Sequence, residues 1–273
     1  MRLGCACEAP LVVLMLSGAV GLAAYCYGFW ALLNFYIWIV DVPIPDQFKN
    51  YFLVNRIDAG SVQLDLMDSA LINIGLFLAF GISHVVFARP SFKQFIMYYA
   101  YGKRFERSMY LVQSSVLLQL MMVYWTPMPL LVSFQHEKLV LFLEKILPGI
   151  GFFIIFLSSF QIDHFELFGL KQAFAIEIPK TTFATNGFYK FVRHPIMTGM
   201  LLLTNSYAFK SYGRLLLAGM TDIFVLIAVF MFEEPELVST LGETYSNYQK
   251  TTPAFIPFKF SLVKSEKGSK KKK

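Results

Sequence analysis

Charge is what this chain has least of. Asp, Glu, Lys and Arg make up 15% of its 273 residues, while 56% are hydrophobic. The mean hydropathy is +0.54. That balance is too apolar for one or two soluble domains and points to several membrane spans, so the lipid bilayer is the expected surroundings. Cysteine is scarcer still. The three present, Cys5, Cys7 and Cys26, lie near the N-terminus without zinc-ligand spacing. This argues against both a metal site and a disulfide framework. Cys5 and Cys7 stand beside a span, where palmitoylation and a plain free thiol are both open readings. The net charge of +6 gathers in certain loops and the tail. The positive-inside bias accounts for it, and no nucleic-acid partner is expected.

What is abundant is apolar sequence. Residues 11–40 form an almost unbroken run, too long for a signal-peptide core of about 7–15 residues. They read as a first transmembrane helix, ended by Asp41-Val42-Pro43. Residues 69–87, 109–125 and 139–160 are the next three spans. Thr126-Pro127-Met128-Pro129 stops the third, and Pro148-Gly149 is expected to kink the fourth. A polar segment then leads to an apolar hairpin with arms at 196–209 and 214–232. The expected fold is all-α and polytopic, with about six hydrophobic helices. Its expected divisions are N-terminal spans over 1–160, a core over 161–260 and a basic tail over 261–273.

Loop charge orients the chain. The loop after the first span carries Asp41, Asp46, Asp58, Asp65 and Asp68 against Lys49 and Arg56. The next has Arg89, Lys93, Lys103, Arg104 and Arg107 against Glu106. The basic loop belongs in the cytosol. Alternation then places both termini, residues 161–195, the Glu233-Glu234 pair and the lysine tail there too. The first hairpin arm is about 14 residues, roughly 21 Å of helix, short of the ~30 Å hydrocarbon core. Arg193 and His194 at its start are therefore expected to sink below the headgroups, facing protein.

The turn between the arms, around residues 210–213, is short, so the two helices are antiparallel neighbours. Arg193-His194 before the first and Glu233-Glu234 after the second then converge on one patch. Pro195 suits the first position of a helix, whose free N–H groups and dipole favour an anion. With Arg193 and His194 this makes an anion site fit for a carboxylate or phosphate, while the glutamates could bind an ammonium group or ribose hydroxyls, or pair with Arg193. Gly199, one turn in, allows close approach of a ligand or of another helix. Each feature also has a plainer reading: Arg193 and His194 as a positive-inside anchor, the glutamates as a solvated helix end. Upstream, Asp163, His164, Lys171 and Gln172 leave the fourth span together, either as site residues or as an interfacial linker. His164 is a candidate base because imidazole titrates near neutrality. His84 and His136 stand alone and receive no role.

The pattern G-F-Y-K-F-V-R-H-P-x-M-x-G, then E-E, then G-x-x-Y-x-x-Y and P-x-F-I-P resembles the isoprenylcysteine carboxyl methyltransferase and phospholipid methyltransferase superfamily over about the last third of the chain. Residues 105–110, Tyr124-Trp125-Thr126-Pro127-Met128-Pro129 and residues 163–172 look like the nurim family, extending the resemblance to roughly residues 69–257. That family includes animal nuclear-envelope proteins and methanethiol S-methyltransferases. The resemblance implies a cytosol-facing S-adenosylmethionine pocket built from Arg193, His194, Pro195, Gly199, Glu233 and Glu234, all present here. The residues read as catalytic are His164, Arg193 and His194, with a small thiol substrate expected near Asp163, Lys171 and Gln172. Met197 stands where the carboxyl-methylating branch usually has Tyr, which favours the thiol branch. Animal nuclear-envelope members tend to lose the paired glutamates, so their presence favours an enzyme. Sterol reductases share a related Arg-His-Pro tail, but usually with Asn-Tyr after the proline, where this chain has Ile196-Met197.

Such chemistry fits a sparse site. The cofactor brings an activated methyl group, so the protein needs only to align the acceptor and exclude water. A thiol must arrive as thiolate, which Arg193, Lys171 or a base at His164 would favour. The alternatives are methylation of a prenylcysteine carboxylate or lipid headgroup, and a non-enzymatic nuclear-envelope protein.

The chain ends Ser269-Lys270-Lys271-Lys272-Lys273, with lysines where a cytosolic dilysine retrieval signal carries them. Residence in the endoplasmic reticulum membrane or the continuous nuclear envelope is expected. Headgroup binding, about 1 kcal/mol per lysine, is the plainer reading. Replacing Lys270 and Lys271 by serine in a eukaryotic host is expected to release the protein to the Golgi or cell surface, as seen by microscopy. An unchanged reticular pattern counts against retrieval.

Overall fold

The computed structural model describes residues 10–40, 56–59, 64–98, 102–129, 138–176 and 183–257, together with Gln47. Cys5, Cys7, His136 and the lysine tail lie outside the described residues.

The described chain is helical. The long helices are α1 (Leu11–Ile39), α2 (Leu66–Ala88), α4 (Gly102–Tyr124) and α5 (Lys138–Gln161). Between α2 and α4 lies α3 (Pro90–Tyr98). The corner after α5 holds two single turns, α6 (His164–Leu167) and α7 (Leu170–Ala173). The hairpin is α8 (Pro195–Asn205) and α9 (Tyr212–Ile227), and α9 runs on through a π-helical turn, Ala228–Glu233, into α10 (Glu234–Leu241). The last helix is α11 (Glu243–Thr251). Each of the expected apolar segments is thus a helix. Four described stretches are long and apolar enough to cross a membrane: Leu11–Ile39, Leu66–Ala88, Leu141–Gln161 and Tyr212–Leu241. Leu71, Ile82, Phe153 and Ile223 point outward from them, as lipid-facing residues do.

Local chemistry sets the helix ends. Asp65 caps α2 by accepting from the Asp68 N–H at 2.8 Å. The Thr-Pro-Met-Pro stop ends α4, and buried Asn73 of α2 pairs with its first peptide. Its Nδ2 donates to the Thr126 carbonyl at 2.9 Å, and its Oδ1 accepts from the Thr126 N–H at 2.8 Å. A polar side chain inside a span thereby satisfies the backbone freed where a helix stops. Nearby, Trp38 of α1 packs edge-on against Trp125, with ring centroids 5.3 Å apart.

Helix α1 packs on α4, α4 on α2, and α5 on α8. The α5–α8 crossing is made by two glycines. A Cβ on Gly199 would lie 2.5 Å from the Gly151 carbonyl, and one on Gly151 would lie 2.6 Å from the Gly199 carbonyl. Small residues let two backbones touch where lipid supplies no hydrophobic drive. Pro148 sits buried within α5, which continues as one helix element past it. At the turn end of α9, buried Arg214 donates to Asp58 and to the Ile39 carbonyl, while Asp58 accepts from Ser211 at 2.5 Å. That cluster ties α1 and the segment before α2 to the start of α9.

The glycine contacts give a prediction of opposite signs. Gly151→Ala is expected to lower stability by about 1–3 kcal/mol through overpacking. Gly149→Ala, where a Cβ meets nothing within 4 Å among the described residues, is expected to be neutral or to gain up to about 1 kcal/mol from helix propensity. Thermal unfolding of the two purified variants in one detergent checks this; equal shifts refute it.

Candidate functional site

The hairpin brings its two polar ends together. Arg193 and His194 precede α8; Glu233 and Glu234 mark the junction where α9 becomes α10. Pro235 lacks an N–H and its ring crowds the preceding turn, and the turn before it is π-helical. That wider turn moves the two carboxylates around the helix axis relative to a regular α-helix.

The two glutamates take different positions. Glu234 is buried. Its Oε1 accepts from Arg193 Nε at 2.7 Å and Nη2 at 2.6 Å, pairs with His194 Nε2 at 3.1 Å, and lies 3.4 Å from the Tyr245 hydroxyl. Its Oε2 accepts from Gln249 at 3.1 Å. Glu233 is 45% exposed, and its Oε2 lies 3.5 Å from His194 Nδ1. His194 thus stands between a spent carboxylate and an available one.

Arg193 departs from the expectation of an open anion site. Its Nε and Nη2 hold Glu234, and its Nη1 donates to the carbonyls of Gln249 (3.2 Å) and Thr252. The guanidinium is consumed within the protein. Backbone bonds complete the clamp: Arg193 N–H to the Pro253 carbonyl at 2.8 Å and His194 N–H to Ala254 at 3.1 Å. Thr198 adds a hydroxyl bond to the Phe255 carbonyl at 2.9 Å. The Pro-x-Phe-x-Pro tail is a strap across the start of α8. Pro195 is buried at the first position of α8. Gly199 faces Gly151, so of its two expected uses the geometry realises helix packing.

The corner after α5 is braced just as tightly. Asp163 adopts a left-handed backbone (φ 80°) and caps α6 through the Glu166 N–H at 3.1 Å. It pairs with Lys171, a hydrogen bond that holds the Asp163 carboxyl below its usual value despite some burial. Gln172 donates to the Glu166 carbonyl at 3.2 Å. His164 is buried, stacked on Phe160 at 4.2 Å. Its Nδ1 lies 2.7 Å from Ser159 Oγ and its Nε2 3.0 Å from the Tyr25 hydroxyl. Ser159 gives its own hydrogen to the Phe156 carbonyl. The network therefore puts the imidazole hydrogen on Nδ1 and has Tyr25 donate to Nε2. The base expected at His164 has both nitrogens engaged.

Two cavities meet at the hairpin ends. One, of about 760 Å³, is open and partly polar. It is walled by Asp163, Thr185, Asn186 and Glu233, and by the aromatic group Phe183, Tyr245 and Tyr248, whose ring centroids lie 5.3–5.9 Å apart. Burial pushes the Tyr248 phenol up to about 12, and burial with nearby carboxylates raises Tyr189 and Tyr245 as well. These phenols stay neutral donors. The second cavity, of about 380 Å³ and mainly apolar, runs among α1, α2, α4 and α8. Ile162, Tyr189, Arg193, His194 and Glu233 line both. Among the described residues, Lys171 and Gln172 line neither.

The G-x-x-Y-x-x-Y pattern contains Tyr245 and Tyr248 without giving them a place in the pocket; three apart on α11, they share a helix face that walls it. His84, given no role, hydrogen-bonds to Ser114 Oγ at 3.0 Å and Tyr110 at 2.8 Å on the apolar cavity's wall. An ionisable residue inside a span was the signal.

The chain is similar to curated proteins over most of its length. It is 35% identical over 221 residues to methanethiol S-methyltransferase 2 of Bradyrhizobium diazoefficiens, covering 80% of this chain and 84% of that protein. It is 35% identical over 213 residues to methanethiol S-methyltransferase of Crocosphaera subtropica, covering 77% and 82%. It is 27% identical over 172 residues to nurim of Sus scrofa, covering 57% and 63%. No family model and no solved structure matches.

His164 yields a prediction. Burial lowers its pKa, with Asp163 pulling the other way. A histidine lowered by folding binds fewer protons folded than unfolded, so stability rises with pH in between. The contribution is full above its ordinary value of 6.5 and shrinks as pH falls toward the folded value. Thermal unfolding between pH 7.5 and 5.5 should show this loss, with a shallower slope in His164→Gln. Parallel slopes would exclude it.

Proposed function

The chain belongs to the methanethiol S-methyltransferase family, and on that premise we propose that it transfers a methyl group from S-adenosylmethionine to a small thiol, methanethiol first among them. The observation that carries this reading is the pair of cavities meeting on His194 and Glu233. One suits a large polar cation; the other suits an apolar acceptor arriving from the bilayer.

The residues present fit the donor. A cavity of about 760 Å³ is in the range of ligand sites. Glu233 offers a half-exposed carboxylate to a cationic group. Phe183 and Tyr248, backed by the buried Tyr245, offer aromatic surface to a purine, and Thr185 and Asn186 line the polar side. S-adenosylmethionine, when bound there, supplies a methyl group already activated by its sulfonium. The protein then has little covalent work to do.

Its own residues position and protect. Glu234 fixes His194 and Arg193, and through them the tail strap. The apolar cavity excludes water from the acceptor, which strengthens every electrostatic interaction at the rim. The acceptor must lose its proton to react. Arg193, Lys171 and His164 are bonded elsewhere, which leaves the His194–Glu233 pair as proton acceptor, with Glu233 open to water. Loop charge supports a cytosolic face for this site and cytosolic termini, and the lysine tail supports residence in the endoplasmic reticulum membrane or nuclear envelope.

The nurim relative favours a second reading, a nuclear-envelope protein without this activity. Purified protein with labelled S-adenosylmethionine should methylate methanethiol in preference to a prenylcysteine or phosphatidylethanolamine. Transfer to a prenylcysteine alone would move the substrate class; transfer to none would favour the second reading. Glu233→Gln should weaken S-adenosylmethionine binding by about 1.5–3 kcal/mol, the scale of a charge-assisted bond, with unfolding unchanged. Glu234→Gln should instead destabilise the fold by about 3–5 kcal/mol, because it strips a buried ion pair of one partner.

A further inference from the structure

Methanethiol is a single carbon and a sulfur. The apolar cavity next to His194 and Glu233 measures about 380 Å³, room for about a dozen water-sized volumes at ~30 Å³ each. A molecule of one carbon touches little of that lining, whereas an alkyl chain laid along it gains packing on several walls. The lining is not random. Leu32, Phe80, Leu111 and Leu118, from three different helices, form its body. At one end stand His194 and Glu233, shared with the polar cavity. On the wall, His84, Tyr110 and Ser114 satisfy one another's hydrogen bonds, so this polar group makes no demand on an occupant.

We propose that this cavity is the acceptor site and that it takes apolar thiols substantially larger than methanethiol, with chains of about four to eight carbons. The sulfur lies at the rim by His194 and Glu233, and the alkyl chain lies along the leucine and phenylalanine walls. The inference rests on the thiol-methylating reading and adds its substrate class. The reaction is unchanged: the S–H bond is broken, an S–CH3 bond forms, the proton leaves through the rim to water and the demethylated donor departs. The product is a longer methyl thioether.

A rate that rises with chain length is not enough evidence, because longer thiols also concentrate in the membrane. Comparing two proteins in the same vesicles cancels that partition. Ser115, buried on the cavity wall, is the place to narrow it. Wild-type protein should convert 1-hexanethiol to its methyl thioether, read by mass spectrometry. In Ser115→Phe the ratio of kcat/KM for 1-hexanethiol over methanethiol should fall about tenfold or more, the scale of overpacking by a ring. Leu118→Ala, which opens the same wall, should raise that ratio for 1-octanethiol and serves if the first variant does not fold. Methylation of methanethiol without 1-hexanethiol by the wild type overturns this inference and leaves the proposed function standing. So does a ratio unmoved by either variant. Methylation of no thiol at all overturns both.

Discussion

One buried carboxylate holds the C-terminal half in place. Glu234 accepts from Arg193 and His194 at the start of α8, and from Tyr245 and Gln249 on α11. A buried charge is costly unless its lone pairs are filled, so these partners cannot drift independently. Arg193 extends the constraint by donating to the carbonyls of Gln249 and Thr252. Hairpin, last helix and tail strap are therefore one unit, although they are spread over some sixty residues.

That constraint also creates the asymmetry at the site. Glu234 absorbs Arg193 and one nitrogen of His194, which leaves Glu233 facing the open cavity with the other nitrogen 3.5 Å away. The π turn before Pro235 sets where each carboxylate sits. Two adjacent identical residues thereby acquire different environments, one buried in a hydrogen-bond cluster and one facing an open cavity.

The same hairpin separates two solvents. Its polar ends border a partly polar, open cavity, and α8 closes one side of an apolar cavity among the spans. In the proposed function, a charged donor and an apolar acceptor need opposite surroundings, and these two cavities offer both within one rim. The corner at Asp163 to Ala173 frames that rim: His164 is locked by Ser159 and Tyr25, and Ser17 of α1 donates to the Ala173 carbonyl at 2.7 Å. Its ordered polar groups serve geometry.

The helical segments, the short first arm of the hairpin and the meeting of Arg193-His194 with Glu233-Glu234 were all legible in the sequence, although the helix expected as the third span, Gly102–Tyr124, is not among the four described stretches apolar enough to cross a membrane. Hydrophobic run length and a short turn depend only on chain geometry, which local residues specify. What each polar group does there was decided by tertiary structure. Arg193 reads as an anion ligand until the carbonyls of the tail are seen to occupy it. His164 reads as a base until Ser159 and Tyr25 are found on its nitrogens. Gly199 leaves open a ligand or a helix until Gly151 is found against it. His84 has no evident role until Phe80, Tyr110 and Met197 are seen around the same cavity. A hydrogen bond is directional and acts over about 3 Å, so its partner cannot be identified from a residue's own place in the chain. The sequence by itself determined which ends of which helices would meet; only the folded distances decided which groups were consumed in holding them there and which remained available for chemistry.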